Sequence, residues 1–522
     1  MTVLIVGAGP VGLTTAHELL RRGVEVRVVD AADGPARNSR AAAMHARTIE
    51  LLDQAGLYDR FDSRATQGAG IAFHVDGVEM ARMNARFTTQ RTRFNKVWLI
   101  DQVITEGLLR DAVTALGGRI EFGVRLTSLT EHPDRVAVSL RRDESNEDES
   151  AEFEWLVGCD GGRSTVRSQL DIRLQGDSSE TWLIADAELD FATPVEHDRI
   201  RWVRADGDSM MIFPLVGERR WRLLDTVDVD HDVDGPEAAE AVAKRFSRKL
   251  SRGLGTDVTV NVPTWVSVFT IQQRAVNTMQ SSRCFLAGDA AHVHSPASGQ
   301  GLNTGMQDAV NLAWKLAAVI AGDAPTELLE TYSSERVPVG QSLLGSTRMA
   351  TMLVEMRNTA VDRALPAVFD FLKALPPVFH ALEQTFIGGM SALAIAYPTS
   401  LLTVPDTNTT RPGPTAGQRL AQVTETDART PSWTAVLAAL RRPGWLLLTG
   451  PDGLDPHPLP RFVTSLPVTD LAADHLGLHT DAWLLVRPDG YVSARGNGPT
   501  RLDRTLSRLP MHTTAVAAAG RT

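Results

Sequence analysis

The run VLIVGAGPVGLTTAHELLRRGVEVRVVD, from Val3 to Asp30, decides the fold. A short apolar stretch leads into Gly7-x-Gly9-x-x-Gly12, an apolar pattern of helical period follows to Arg22, and a second apolar stretch ends on an acid. Strand, tight glycine turn, helix, strand and terminal acid together form the fingerprint of a dinucleotide-binding unit, which an isolated glycine motif would not establish. Gly7 permits the turn, Gly9 lets backbone approach a pyrophosphate, and Gly12 lets helix and strand pack closely. Pro10 opens the helix, whose free N–H groups and positive dipole end face phosphate. Asp30, 18 residues after Gly12, is placed to accept hydrogen bonds from ribose hydroxyls.

Two later stretches repeat the theme. EWLVGCDGGRSTVRSQL, Glu154 to Leu170, reads as a strand, then Asp160-Gly161-Gly162, then a helix start. RCFLAGDAAHVHSPASGQGLNTGMQDAVNLAWKLAAVI, Arg283 to Ile320, reads as a strand, then Gly288-Asp289, a Pro/Gly loop and a long amphipathic helix. The chain thus carries glycine and acid signals at three strand ends.

This triple pattern resembles the flavoprotein aromatic hydroxylases, the single-component FAD monooxygenases of the p-hydroxybenzoate hydroxylase and phenol hydroxylase type. The similarity runs from residue 1 to about 345 and is greatest to members that tailor aromatic polyketides. It implies that Asp289 hydrogen-bonds the ribitol of FAD and that Arg40 lies near the FAD phosphate and ribityl region. It further implies that Gln102 contacts the cofactor and that Asp160 bridges flavin and NADPH contacts. The loop from Pro296 through Gly299, Gly301, Leu302 and Asn303 is then expected to set backbone N–H groups near the pyrimidine edge of the flavin, where they stabilise the anionic reduced form. Asp30 stands where many members have Glu, and Ser298 where a second glycine is common. The reaction implied is hydroxylation of an aromatic, polycyclic substrate: NADPH reduces FAD, the reduced flavin and O2 give a C4a-hydroperoxide, and its distal oxygen goes to an activated ring carbon. The same chemistry also serves Baeyer–Villiger insertion and antibiotic-inactivating hydroxylation, and a flavin-binding regulatory protein without turnover is the alternative of another class. No residue stands out as a catalytic base. NADPH is expected to bind transiently, because no second βαβ unit carries its own GxGxxG.

The fold class expected is α/β: a Rossmann-type FAD-binding domain (1–175 and 264–400), an interleaved, mostly antiparallel sheet for substrate (176–263), and a thioredoxin-like C-terminal domain (401–522). A length of 522 residues exceeds what one core usually supports. Strand-like runs between 176 and 263 nominate Trp182, Met211, Phe213 and Trp221 to line the substrate face, although each is equally an ordinary core residue. RRDESNEDESAE, 141–152, reads as a solvated hairpin tip. The tail is assigned from GWLLLTG and DAWLLVRPDGYVSAR, the second with a turn at Pro488-Asp489-Gly490. Redox use of such a tail needs a thiolate, and the sequence has no cysteine after Cys284.

Composition excludes other classes. Net charge is -10 without a basic run, which disfavours nucleic acid. Only Cys159 and Cys284 occur, so no disulfide framework is expected and the compartment reads as cytoplasmic. No apolar run approaches the ~18 residues of a membrane span. His292 and His294 lack a third ligand at metal spacing, and no G-x-S-x-G marks a hydrolase. A monomer or homodimer acting on a small aromatic molecule is the expected form.

Overall fold

The structure is a computed structural model that describes residues 3–39, 41–87, 91–226, 236–295, 299–355, 359–406, 411–454 and 459–512. Its first sheet runs Gln280–Ser281, Cys284–Leu286, Trp155–Gly158, Val3–Val6, Val26–Asp30, Ile120–Phe122, parallel throughout except for the first pair. Strands buried on both faces must be apolar throughout, and Val3–Val6, Trp155–Gly158 and Cys284–Leu286 are. Register then does the decisive work: Val6 lies opposite Gly158, and Gly158 opposite Leu286. Segments separated by more than a hundred residues therefore end at one level of one sheet edge, the carboxyl end where open α/β sheets bind ligands.

The second sheet is built around Gln175–Phe191, with Trp265–Ala275 on one side and Arg220–Asp225, Asp208–Pro214 and Arg199–Ala205 following on the other, all antiparallel. It draws on more chain than 176–263. Gly70–Val75 pairs in parallel with Arg199–Ala205, and Val78–Asn84 extends it. Such pairing spans over a hundred residues and leaves no local signal beyond the alternation within each strand. Residues 236–254 hold a helix rather than more strand. Its Val242, Phe246 and Leu250, four apart, pack on the sheet face that carries Leu183, Trp221 and Leu223. The charged stretch does form a hairpin, Val136–Arg142 with Glu147–Phe153, and its turn is exposed.

The C-terminal domain has strand order Val463–Pro467, Trp445–Thr449, Ala482–Val486, Val492–Asn497, the first pair parallel and the rest antiparallel, which is the thioredoxin arrangement. Among the described residues no single helix is long and apolar enough to cross a membrane.

Candidate active site

The first turn tolerates only glycine at two of its three motif positions. A Cβ on Gly12 would lie 1.9 Å from the Gly7 carbonyl oxygen, and one on Gly7, at φ +106°, would lie 2.4 Å from the Cys159 carbonyl oxygen. Gly9 differs, because a Cβ there meets no protein atom within 4 Å and its backbone is extended (φ -73°). Nothing in the chain requires glycine at Gly9; the open space in front of it does. Asp30 closes the turn, its Oδ2 accepting the Ala8 N–H at 2.6 Å and its Oδ1 the Ala32 N–H at 2.8 Å. Each oxygen keeps a lone pair for a further donor.

The second turn uses its acid internally. The Asp160 carboxylate accepts from Ser164 Oγ at 2.5 Å and from the amides of Thr165 and Val166 at 2.7 and 3.1 Å, which starts the Thr165–Gln169 helix. Burial raises its pKa, while the Ser164 hydroxyl and the amides pull it back. Arg167 spans from Gly162 O to Ala290 O, tying this turn to the third.

In the third turn Gly288–Ala290, Asp289 is exposed, and its Oδ1 lies 4.0 Å from where a Gly301 Cβ would stand, beside the first residue of the Gly301–Ile320 helix. Cβ atoms on Gly288 and Gly305 would come within 2.7 and 2.6 Å of Val11 Cγ2. Close approach at these glycines locks the third turn and the long helix against the first helix, Pro10–Leu20.

Asn303 is a clasp. Its Oδ1 accepts the His45 N–H at 2.8 Å, and its Nδ2 donates to Ala43 O at 3.0 Å and Gly299 O at 2.9 Å. Leu302 packs on the core of the first domain. Gln102 accepts from the Ala41 amide at 3.0 Å, and its own N–H donates to Ser39 Oγ at 2.6 Å, so it grips the chain on both sides of position 40. Arg40, Pro296 and Ser298 lie outside the described residues.

Of the four substrate-face candidates, Trp182, Met211 and Phe213 share one apolar surface with Ile184 and Leu224. Trp221 does not belong with them. It lies on the opposite face among Leu183, Leu223 and Phe246, in edge contact with Phe191 and His197. Neighbouring residues in a strand face opposite ways, so Arg222 takes the place assigned to Trp221. Arg222 pairs with Asp186 (Nε–Oδ1 2.8 Å, Nη2–Oδ2 2.8 Å) and donates to Ser39 O, which turns this face toward the first domain.

Two residues were not legible beforehand. Asp308 accepts the Gly288 N–H at 3.1 Å, His292 Nε2 at 2.7 Å and Arg336 Nε at 2.7 Å, holding the third turn from the long helix. His294, beside Gly301, has neither ring nitrogen hydrogen-bonded to a described residue, and burial pushes its pKa down to about 3, so the ring is neutral. The only sequence signal for Asp308 was that it is the one acid on a largely apolar helix.

A family model described as an FAD binding domain matches residues 1–347. Over 97% of this chain and 93% of the relative, the sequence is 43% identical to 6-methylpretetramide 4-monooxygenase of Streptomyces rimosus. The chain belongs to the FAD-dependent aromatic monooxygenases. This monooxygenase superposes on OxyS anhydrotetracycline hydroxylase from Streptomyces rimosus with TM-score 0.74 at 30% identity, covering 98% of this chain and 99% of that one. For the flavin-dependent monooxygenase PieE, solved in complex with FAD and substrate, the TM-score is 0.78 at 25% identity, over 97% and 99% of the two chains. The cofactor of this monooxygenase is FAD, with O2 and a reduced nicotinamide as the co-substrates usual for such enzymes. The residues fit that cofactor, since the space in front of Gly9 is one that a side chain would fill and that no protein atom occupies.

Both thiols of the monooxygenase are buried and held protonated. Cys159 is buried, 3.8 Å from Thr15 Oγ1, and burial pushes its pKa up to about 12; burial raises Cys284 likewise. The Cys159→Ser, Cys284→Ser double variant is expected to lose about 1–2 kcal/mol of stability and to keep substrate-coupled hydroxylation. A folded, FAD-loaded double variant that oxidises NADPH without hydroxylating would show that a thiol takes part.

Proposed function

We propose that this monooxygenase hydroxylates an aromatic, polycyclic polyketide, with FAD laid across the three strand ends at Val6, Gly158 and Leu286. The convergence of those ends in one register carries the reading. The names of the relatives support the substrate class, and the apolar face of Trp182, Met211 and Phe213 suits a flat hydrophobic ring system.

When bound, FAD would supply hydride acceptance and O2 activation. The chain's residues bind and orient. Gly9 admits the pyrophosphate, Asp30 accepts from the adenosine ribose, and Asp289 accepts from the ribitol. Gln102 holds the segment that carries Arg40. The N-terminal N–H groups of the Gly301–Ile320 helix favour negative charge on the ring beside Gly301, Leu302 and Asn303. The apolar sheet face excludes water, and Asp160 acts by fixing the second turn, its carboxylate being already bonded to Ser164, Thr165 and Val166. We assign FAD binding to 1–175 and 264–400 with the 70–84 hairpin lent to the substrate sheet, take a cytoplasmic monomer or homodimer as the working form, and place hydroxylation ahead of Baeyer–Villiger insertion.

Stopped-flow flavin reduction should be slow with NADPH alone and faster with an aromatic polyketide present; an unchanged rate would argue against the substrate class. Product mass after reaction under heavy-oxygen gas, with product NMR, separates ring hydroxylation from insertion. Asp289→Ala should weaken FAD retention by about 1.5–3 kcal/mol, the worth of a hydrogen bond to a charged acceptor. Full FAD content through gel filtration would remove Asp289 from the site.

A further inference from the structure

The Pro488-Asp489-Gly490 turn of the C-terminal domain has the composition of an exposed hairpin tip, yet Asp489 is 2% exposed and Arg487 1%. The tip is driven into the FAD-binding domain. Asp489 Oδ2 accepts from Trp314 Nε1 at 3.1 Å and Asn311 Nδ2 at 3.4 Å, both on the Gly301–Ile320 helix. Its backbone oxygen accepts from Arg47 Nη2 at 2.9 Å, on the Ala46–Gln54 helix. Arg487 lies against the same acid, Nε to Oδ1 at 3.0 Å and Nη2 to Oδ2 at 2.6 Å.

Asn303 also joins these two helices, near the N-terminal end of each. The Ala46–Gln54 helix starts directly after His45, whose N–H donates to Asn303 in the first turn of the Gly301–Ile320 helix. Asp308, between Asn303 and Asn311 on the long helix, holds the Gly288 amide. Asn311 lies ten residues along from Gly301, about 15 Å at 1.5 Å per residue. One buried residue thus touches both helices, the long one through its carboxylate and the short one through its backbone oxygen.

We infer that Asp489 is a positioning residue for the flavin: the C-terminal domain uses its hairpin tip to fix the axial position of the Gly301–Ile320 and Ala46–Gln54 helices, and through them the cofactor. The inference rests on the FAD placement proposed above. It gives the C-terminal domain a part in the reaction that needs no thiol.

The test is Asp489→Asn, which keeps shape and removes charge, beside Trp314→Phe, which deletes one bond from the helix to Asp489. In full-length protein with wild-type circular dichroism, the FAD dissociation constant should rise about tenfold, near 1.4 kcal/mol. The visible absorption of bound flavin and its midpoint potential should both shift. A folded variant with a lowered melting temperature but wild-type affinity, spectrum and potential overturns the inference, leaving Asp489 as packing only. Should Asp489→Asn fail to fold, Trp314→Phe decides by the same readouts. Gly9→Val separates the two levels: if it retains FAD, the cofactor placement itself is wrong and the inference falls with it; if it loses FAD, the readouts on Asp489 and Trp314 stand alone.

Discussion

Gly9→Val should fold like the wild type and emerge from purification colourless, while Gly12→Val should fail to fold well. The two glycines are three residues apart in one motif, and their surroundings make the difference. At Gly9 the backbone is extended, which suits a β-branched residue, and the added side chain meets no protein atom within 4 Å. Stability should change by less than about 0.5 kcal/mol, as at an ordinary surface site. The added methyl groups fill the space assigned to the pyrophosphate, so FAD affinity should fall about a hundredfold or more, ~3 kcal/mol. At Gly12 the added Cβ lies 1.9 Å from Gly7 O, and Cys159 Cβ stands 3.3 Å away on another side. Relief requires the Val3–Val6 strand and Pro10–Leu20 helix to separate, at about 3 kcal/mol or more. Denaturant unfolding followed by flavin fluorescence and far-ultraviolet circular dichroism distinguishes the cases. A yellow, stoichiometric Gly9→Val protein would sink the cofactor placement.

The second large effect is expected at Glu335. Its carboxylate receives Lys315 Nζ at 2.8 Å, Asn311 Nδ2 at 2.8 Å, Arg487 at 2.6 and 2.9 Å, and Ser400 Oγ at 2.5 Å, all in the interior. Burial alone would raise its pKa, but the Arg487 guanidinium and Lys315 ammonium outweigh burial and hold it well below the usual carboxylate range. Glu335→Ala leaves the buried Lys315 without its ion-pair partner and Arg487 with Asp489 alone, and removal of one side of a buried ion network destabilises by about 3–5 kcal/mol. The folded-state pKa is depressed, so the contribution of Glu335 is present above its unfolded pKa of about 4.3 and is lost as pH falls toward the folded value. Wild-type and Glu335→Ala stabilities should therefore differ most near neutrality and converge below about pH 4. A gap that persists undiminished into acid would show that the effect is packing, not charge.

The glycine turns were legible in the sequence because Gly7-x-Gly9-x-x-Gly12 sits between a strand and a helix, and the runs before Asp160 and Asp289 were apolar enough to read as buried strands. That they end at one level was not legible, since register between strands over a hundred residues apart leaves no local trace. The side of the sheet on which Trp221 lies was not legible for a related reason. Alternation fixes which residues of a strand face together, yet nothing within RRWRLLD says which set faces the flavin domain. The 236–254 helix did announce itself through Val242, Phe246 and Leu250, and was obscured by the strand-like runs on either side. The buried charges were the least legible. Lys315, Glu335, Arg487 and Asp489 each have the composition of surface residues, and only their mutual pairing makes burial tolerable.

The hairpin tip also imposes an order on biosynthesis. Asn311 and Asp489 are 178 residues apart. At about 5–20 residues per second, the ribosome releases Asp489 roughly 10–35 s after Asn311. Throughout that interval Lys315 and Glu335 lack the guanidinium and carboxylate that complete their network, and the long helix has no fixed end stop. This buried corner of the first domain is therefore completed only by residues made with the C-terminal domain.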